Sequence, residues 1–174
     1  MHQHFIMHKP FGYLCQFVCE LPKKKLVGEL YDFPEGTMAI GRLDEKSEGL
    51  LLLTTDGNVS EAVRSKKVEK EYYAQVDGLI SEEAIASMTQ GVEIGIFDVK
   101  YITLPCKAFR LEKTPAFPLR SKKIRDDRHG PTSWVSVTLT EGKFRQVRKM
   151  CAAVCIVLKK VYSLFNNPAI CLQM

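Results

Sequence analysis

The sequence predicts an α+β fold, a mixed and mostly antiparallel sheet with helices packed on it. Three observations carry this. Leu50-Leu51-Leu52-Leu53 is a short apolar run that cannot all face water, so it reads as a strand buried on both faces. Trp134 to Leu139 alternates, with Val135, Val137 and Leu139 on one face, as a half-buried strand does. Helical patterns with recognisable ends alternate with such segments, and no repeat or low-complexity stretch interrupts them.

In chain order, Phe5-Ile6-Met7 and Leu14 to Val18 are short strand candidates. Lys24 to Tyr31 follows Pro22 with a helical pattern that sets Leu26 and Leu30 on one face. After the leucine run, Asp56-Gly57 offers a turn, and Asn58 with Glu61 looks like a capping pair opening a helix through Arg64. Tyr72 to Val76 returns to strand. Ser81, with Glu82 and Glu83 in the first turn and Gly91 after the last, brackets a second helix. Val92 to Leu111 reads as strands separated by turns. Prolines and a basic run break all periodicity between Thr114 and Thr132, a long loop that is functional or mobile. From Lys143 onward Phe144, Val147, Cys151 and Val154 form one apolar helical stripe. At about 100° per residue Arg148 lies on its edge, roughly 40° beyond Phe144, while Arg145 and Lys149 point away.

A chain of 174 residues suits one domain or one compact unit of two lobes, and 45% hydrophobic content argues against disorder. No apolar run reaches the roughly 18 residues needed to cross a bilayer. The start, Met1-His2-Gln3-His4, lacks the build of a signal peptide, so a cytoplasmic location is expected. Among six cysteines, Cys15/Cys19 and Cys151/Cys155 are spaced by four rather than as close ligand pairs, and they read as small buried hydrophobes. His2, His4 and His8 have no nearby carboxylate and read as a frayed terminus or edge strand. No metal site and no cofactor are expected. Net charge is +5, gathered into Lys23-Lys24-Lys25, Arg64-Ser65-Lys66-Lys67, Arg120 to Arg125 and Lys143 to Lys149. Four separate basic runs are better explained by a polyanion partner than by solvated faces. Within them Lys122, Lys123, Arg125, Lys143 and Arg145 are candidate RNA contacts.

Four segments carry a sharper signal: Phe5 to Gly12, Gly41-Arg42-Leu43-Asp44 running on to Gly57, Lys70-Glu71-Tyr72-Tyr73 to Gly78, and Glu141 to Met150 with Arg145-Gln146-Val147-Arg148. Together, in this order, they resemble the pseudouridine synthases that act on bacterial ribosomal RNA. The resemblance implies that family's fold, two sheet-bearing halves forming one long sheet with a cleft across its face. It implies a single catalytic domain over 1–174 with no N-terminal RNA-binding domain and a divergent segment over 151–174. There Cys155-Ile156-Val157 replaces a glycine-containing turn and Val161-Tyr162-Ser163 lacks an expected arginine. The implied activity is isomerisation of a specific uridine in ribosomal RNA, of the large subunit (23S), by a monomer with no obligate protein partner and no membrane association.

Residue by residue, Asp44 matches the family's catalytic aspartate, which attacks the sugar C1′ or abstracts a sugar proton. Its carboxylate must stay charged in a desolvated cleft, so a cation has to lie close by. Arg148 fills that role by the resemblance and by its edge position on the helix. Tyr72 matches the tyrosine whose ring stacks on the flipped base, and Tyr73 should face the opposite side as core. Arg42, two residues before Asp44, fills the space the base leaves or contacts phosphate. Lys9 and Lys70 are expected at the rim, gripping RNA. Glu45, Glu48 and Asp56 read as loop solvation and turn formation. Two rivals remain: an RNA-binding module of the same fold with impaired catalysis, and a metal nuclease on Asp44, Glu45, Glu48 and Asp56, which lacks a converging oxygen cage.

Overall fold

Four successive leucines escape water only in a strand covered on both sides, and the computed structural model builds its sheet around that strand. The structure describes residues 1–20, 22–118 and 130–164. Along the chain run β1 (His4–Lys9), β2 (Tyr13–Leu14), β3 (Lys25–Leu26), a 3-10 turn (Val27–Leu30), β4 (Met38–Ala39), β5 (Glu48–Thr54), α1 (Gly57–Arg64), β6 (Lys70–Asp77) and α2 (Glu82–Gln90). The hairpin β7 (Glu93–Ile96) and β8 (Val99–Ile102), β9 (Lys107–Arg110), β10 (Thr132–Leu139), α3 (Gln146–Ala153) and β11 (Leu158–Leu164) follow.

Seven strands make one sheet in the order β1-β5-β11-β6-β10-β9, with β4 also on β5. β1 runs antiparallel along the whole of β5, from His4 opposite Thr54 to Lys9 opposite Gly49. The start of β5 pairs in parallel with β11 (Tyr162 with Glu48, Ser163 with Gly49), and its end pairs with β4 (Ala39 with Leu53). β11 then pairs antiparallel with β6, Tyr162 opposite Tyr73, and so joins the two halves. Close approach at this seam requires Gly49: at φ 114°, a Cβ there would lie 2.5 Å from the Ser163 carbonyl oxygen. The segment read as divergent thus supplies the joining strand. Phe117 stacks on the buried Tyr162 from the back of the sheet, ring centroids 3.7 Å apart and planes at 9°. Residues 165–174 lie outside the described residues.

On one side of the second half, Ala74, Val76, Val135 and Val137 are fully buried against α2 and α3, through Ile85, Met88, Val147, Met150 and Cys151. A completely buried valine stabilises the fold by roughly 1.5–3 kcal/mol over an exposed one. Cys15, Val27, Leu51 and Leu53 form the core of the first half. β10 is buried on both faces rather than one: Trp134 meets Phe117, and Ser136 Oγ donates to Glu71 Oε1 at 2.6 Å.

Local expectations are corrected in three places. Residues 24–31 hold a two-residue strand and one 3-10 turn instead of a helix. Leu26 is buried but Leu30 is 38% exposed, because pairing with β2 claims the first residues. Beyond Leu14 the expected strand does not continue, and Val18 is solvent-exposed. The cap of α1 is Asp56, whose carboxylate accepts the Asn58 N–H at 2.8 Å, so the expected turn is the helix start. Ser81 and Gly91 do bracket α2, Ser81 Oγ accepting the Ala84 N–H.

Candidate active site

The loop between β4 and β5 is held from beneath by three groups of the N-terminal segment. Lys9 Nζ donates to the carbonyls of Pro10 and Glu45 at 3.0 and 3.4 Å. The Gly12 N–H donates to the same Glu45 carbonyl at 2.8 Å. Cys15 Sγ accepts the Leu43 N–H at 3.2 Å, beside the Leu43 carbonyl at 3.5 Å. Above, Lys24 pairs with the Glu45 carboxylate at 2.9 Å. Asp44 is therefore anchored on both neighbours, Leu43 and Glu45, and the Ser47 N–H closes a turn on its carbonyl at 2.9 Å. A backbone pinned at such points presents a side chain with little freedom, the condition a reacting group needs.

Lys9 is thus a support and not a rim contact: it is fully buried, and burial lowers its pKa against the raising influence of Cys15, Glu48, Glu45 and Asp44. Pairing of β1 with β5 sets Lys9 opposite Gly49, and its ammonium reaches the Glu45 carbonyl beneath the loop.

Facing the loop is α3. The Arg145 backbone takes the left-handed conformation (φ 54°) and the helix begins only at Gln146. This shifts the phase expected from a helix starting at Lys143. Phe144 leaves the apolar stripe and is 52% exposed, while Val147 and Cys151 keep their buried places. Arg145, expected to point away, instead brings its Nε to 3.6 Å from Asp44 Oδ2, alongside Arg148 Nε at 3.7 Å. Arg148 Nε is buried and makes no hydrogen bond among the described residues, so charge carries its attraction to Asp44.

Tyr72, on the β6 face turned to this core, completes the cleft. Burial, and then the Asp44 charge, raise its pKa, so the phenol stays neutral around pH 7. Tyr73 faces the back of the sheet, against Phe117. Arg42, Leu43, Asp44, Ser47, Tyr72, Lys143, Arg145, Arg148 and Val161 line one open cleft. Lys70 lines an adjoining cleft on the other side of Tyr72, with Arg42 and Arg64, and its Nζ donates to the Ser65 and Val68 carbonyls. Lys122, Lys123 and Arg125 lie outside the described residues.

Two contributors escaped the sequence reading. Cys15 anchors the Asp44 loop, and nothing local marks it for that. Glu141 is the second: nearly buried, it accepts from Tyr101 Oη at 2.6 Å, the Leu104 N–H at 3.0 Å and Gln146 Nε2 at 2.6 Å. Burial pushes its pKa up, but the Tyr101, Leu104 and Gln146 hydrogen bonds and the Lys143 charge outweigh it and leave the value lowered. Gln146 in turn accepts the Lys143 N–H at 2.9 Å, so this carboxylate ties the start of α3 to β8 and to the segment just after it. Its presence in the motif segment with Gln146 was the available signal.

The arrangement is a charged carboxylate compensated by two guanidiniums, beside a neutral aromatic floor, in an open cleft with cations at its mouth. Among the described residues no cluster of His, Cys, Asp and Glu could hold a metal ion, and no helix is long and apolar enough to cross a membrane. Comparison with known proteins points the same way. A family model for RNA pseudouridylate synthase matches residues 3–153. Ribosomal large subunit pseudouridine synthase E of Xanthomonas campestris pv. campestris is 36% identical over 152 residues, 86% of this chain and 79% of that protein. Ribosomal large subunit pseudouridine synthase B of Bacillus subtilis is 29% identical over 153 residues, 87% of this chain and 56% of that protein. A crystal structure of a pseudouridylate synthase matches with a TM-score of 0.72 at 26% identity, over 94% of this chain and 62% of that one. Matched by that family model over most of its length and by a relative 36% identical, the chain belongs to the RNA pseudouridylate synthase family, isomerases that act on RNA.

Proposed function

We propose that this chain converts a specific uridine of large-subunit ribosomal RNA to pseudouridine, with Asp44 as the catalytic carboxylate. One observation carries the reading: the Asp44 carboxylate stands between Arg145 and Arg148 at 3.6 and 3.7 Å, in the cleft that Tyr72 floors. The large-subunit assignment is supported by the names of the relatives. The chain acts as one catalytic unit, a cytoplasmic monomer that needs no cofactor.

In the reaction the bond from ribose C1′ to uracil N1 breaks, the base turns, and a bond from C1′ to C5 forms. The C5 proton leaves and N1 ends with one, so nothing is oxidised or consumed. Asp44 acts at the sugar, on C1′ or on a ribose proton. Both routes need its negative charge, which the two arginines compensate inside the cleft. Extruding a uridine costs a few kcal/mol, and stacking on the Tyr72 ring offsets about 1–3 of them. The exposed Arg42 at the cleft mouth stands where it can occupy the vacated stack or hold a phosphate.

The test is tritium release from C5-labelled uridine in unmodified transcripts of both ribosomal RNAs. Wild type is expected to release tritium from the large-subunit transcript. Asp44→Asn, which keeps size and removes charge, is expected to release none while RNA affinity and melting temperature stay unchanged. Turnover by the folded variant overturns the role of Asp44, and release from the small-subunit transcript alone overturns the target.

A further inference from the structure

An aromatic pair stands on the surface at the tip of the β7–β8 hairpin. Phe97 is 77% exposed and Phe144 52%, yet their rings are stacked with centroids 5.4 Å apart and planes at 20°. Contact with each other leaves more than half of each side chain in water, so core formation does not account for them. The backbone is unusual as well. Phe97 and Asp98 form the two-residue turn with φ of 46° and 65°, a conformation that hairpins ordinarily give to Asn and Gly and in which a bulky residue is an outlier.

A cation lies against this pair on the α3 side, and a second stands over the neighbouring Tyr101 ring. Lys149 Nζ lies 5.1 Å from the Phe144 ring centroid and is held by the Gly95 carbonyl at 2.6 Å. Lys143 Nζ lies 4.6 Å from the Tyr101 centroid. The residues flanking Phe144, Lys143 and Arg145, both line the Asp44 cleft. On the hairpin itself Glu93 is paired with Lys100 at 2.9 Å, and Asp98 sits at the tip, which leaves the α3 side as the favourable path for a phosphate chain. The Glu141 hydrogen bonds to Tyr101, Leu104 and Gln146 hold hairpin and helix together, so the pair keeps a fixed place beside the cleft.

We propose that Phe97 and Phe144 form a second base platform. An unpaired base of the RNA strand that carries the target uridine stacks on the exposed Phe97 ring, and Lys143 and Lys149 hold the adjoining phosphates. The proposal rests on the RNA-substrate reading above. Aromatic faces accept any base, so the platform fixes the path of the strand and adds affinity without selecting sequence.

The experiment measures binding of a short, unpaired, uridine-containing RNA by fluorescence anisotropy across a salt series, for wild type, Phe97→Leu and Phe97→Trp. Leucine keeps an apolar contact with Phe144 and loses the flat face; its affinity is expected to fall about 5- to 150-fold. The log–log salt slope should be unchanged, because stacking displaces no counterions. Tryptophan should bind at least as tightly as wild type. Unchanged affinity in the leucine variant overturns the platform, as does a tryptophan variant that binds as weakly as leucine. A shallower slope also overturns it, since Phe97 would then act only by placing Lys149. Failure of the isomerase reading shows separately, as absent tritium release with these affinities intact.

Discussion

Removing the Glu141 carboxylate should cost more stability and activity than its distance from the chemistry suggests. It accepts three hydrogen bonds, from Tyr101, Leu104 and Gln146, in a nearly buried position. Hydrogen bonds to a charged group contribute about 1.5–3 kcal/mol each, and part of this returns as water reaches the hairpin side. Glu141→Ala should therefore destabilise by about 3 kcal/mol in urea unfolding at pH 7. Glu141→Gln should cost about half as much: its carbonyl still accepts from Leu104 and Gln146, and the Tyr101 hydroxyl can turn to accept from the amide. A carboxyl whose pKa is lowered on folding stabilises above its unfolded value of about 4.3, and the contribution is lost as pH falls through the folded value. The gap between wild type and the glutamine variant should accordingly narrow below about pH 4.3. Because Gln146 opens α3, the alanine variant should also lose turnover through misplacement of Arg145 and Arg148. An alanine variant within about 1 kcal/mol of wild type, or a gap that widens in acid, refutes the reasoning.

Tyr72→Phe keeps the ring and removes a hydroxyl that is neutral around pH 7. RNA affinity should hold, and turnover should fall by about 10²- to 10⁴-fold, the range for a lost proton-transfer group; unchanged turnover leaves only stacking to the ring. Gly49→Ala forces a Cβ to 2.5 Å from the Ser163 carbonyl oxygen at φ 114°, at the seam between the halves. It should cost about 3 kcal/mol or more and lower the melting temperature by roughly 6–12 °C; a shift below about 2 °C refutes the seam argument. Activity should survive exhaustive chelation, because burial raises the pKa of the Cys15 thiol and pushes that of Cys151 up to about 12, away from the thiolate a metal would need. Loss of activity in chelator with recovery on adding zinc would contradict this.

What the sequence made legible were features whose cause is local or whose demand for burial is absolute. Four leucines require cover on both faces, and Ser81 and Gly91 carry their capping chemistry in their own side chain and backbone, so these elements stand where expected. Asp44, Tyr72 and Arg148 were legible through motif resemblance, and they line one cleft. The misreadings arose where a distant partner or one backbone angle decides. Lys9 looks like any surface lysine until β1 pairs with β5 and its ammonium comes within reach of the Glu45 carbonyl. Arithmetic at 100° per residue sent Arg145 away from the site because it assumed a helix already running at Phe144. One left-handed residue resets that phase, and two arginines rather than one then face Asp44. The same reset expels Phe144 from the core to meet Phe97, a pairing invisible to periodicity because both residues lie at irregular points of the chain. At the other end of the chain, departures from the family pattern made the closing strand doubtful. Yet Val161 and Tyr162 satisfy what β11 needs physically, apolar bulk on both faces of a central strand, and the sheet accepts them without the expected arginine.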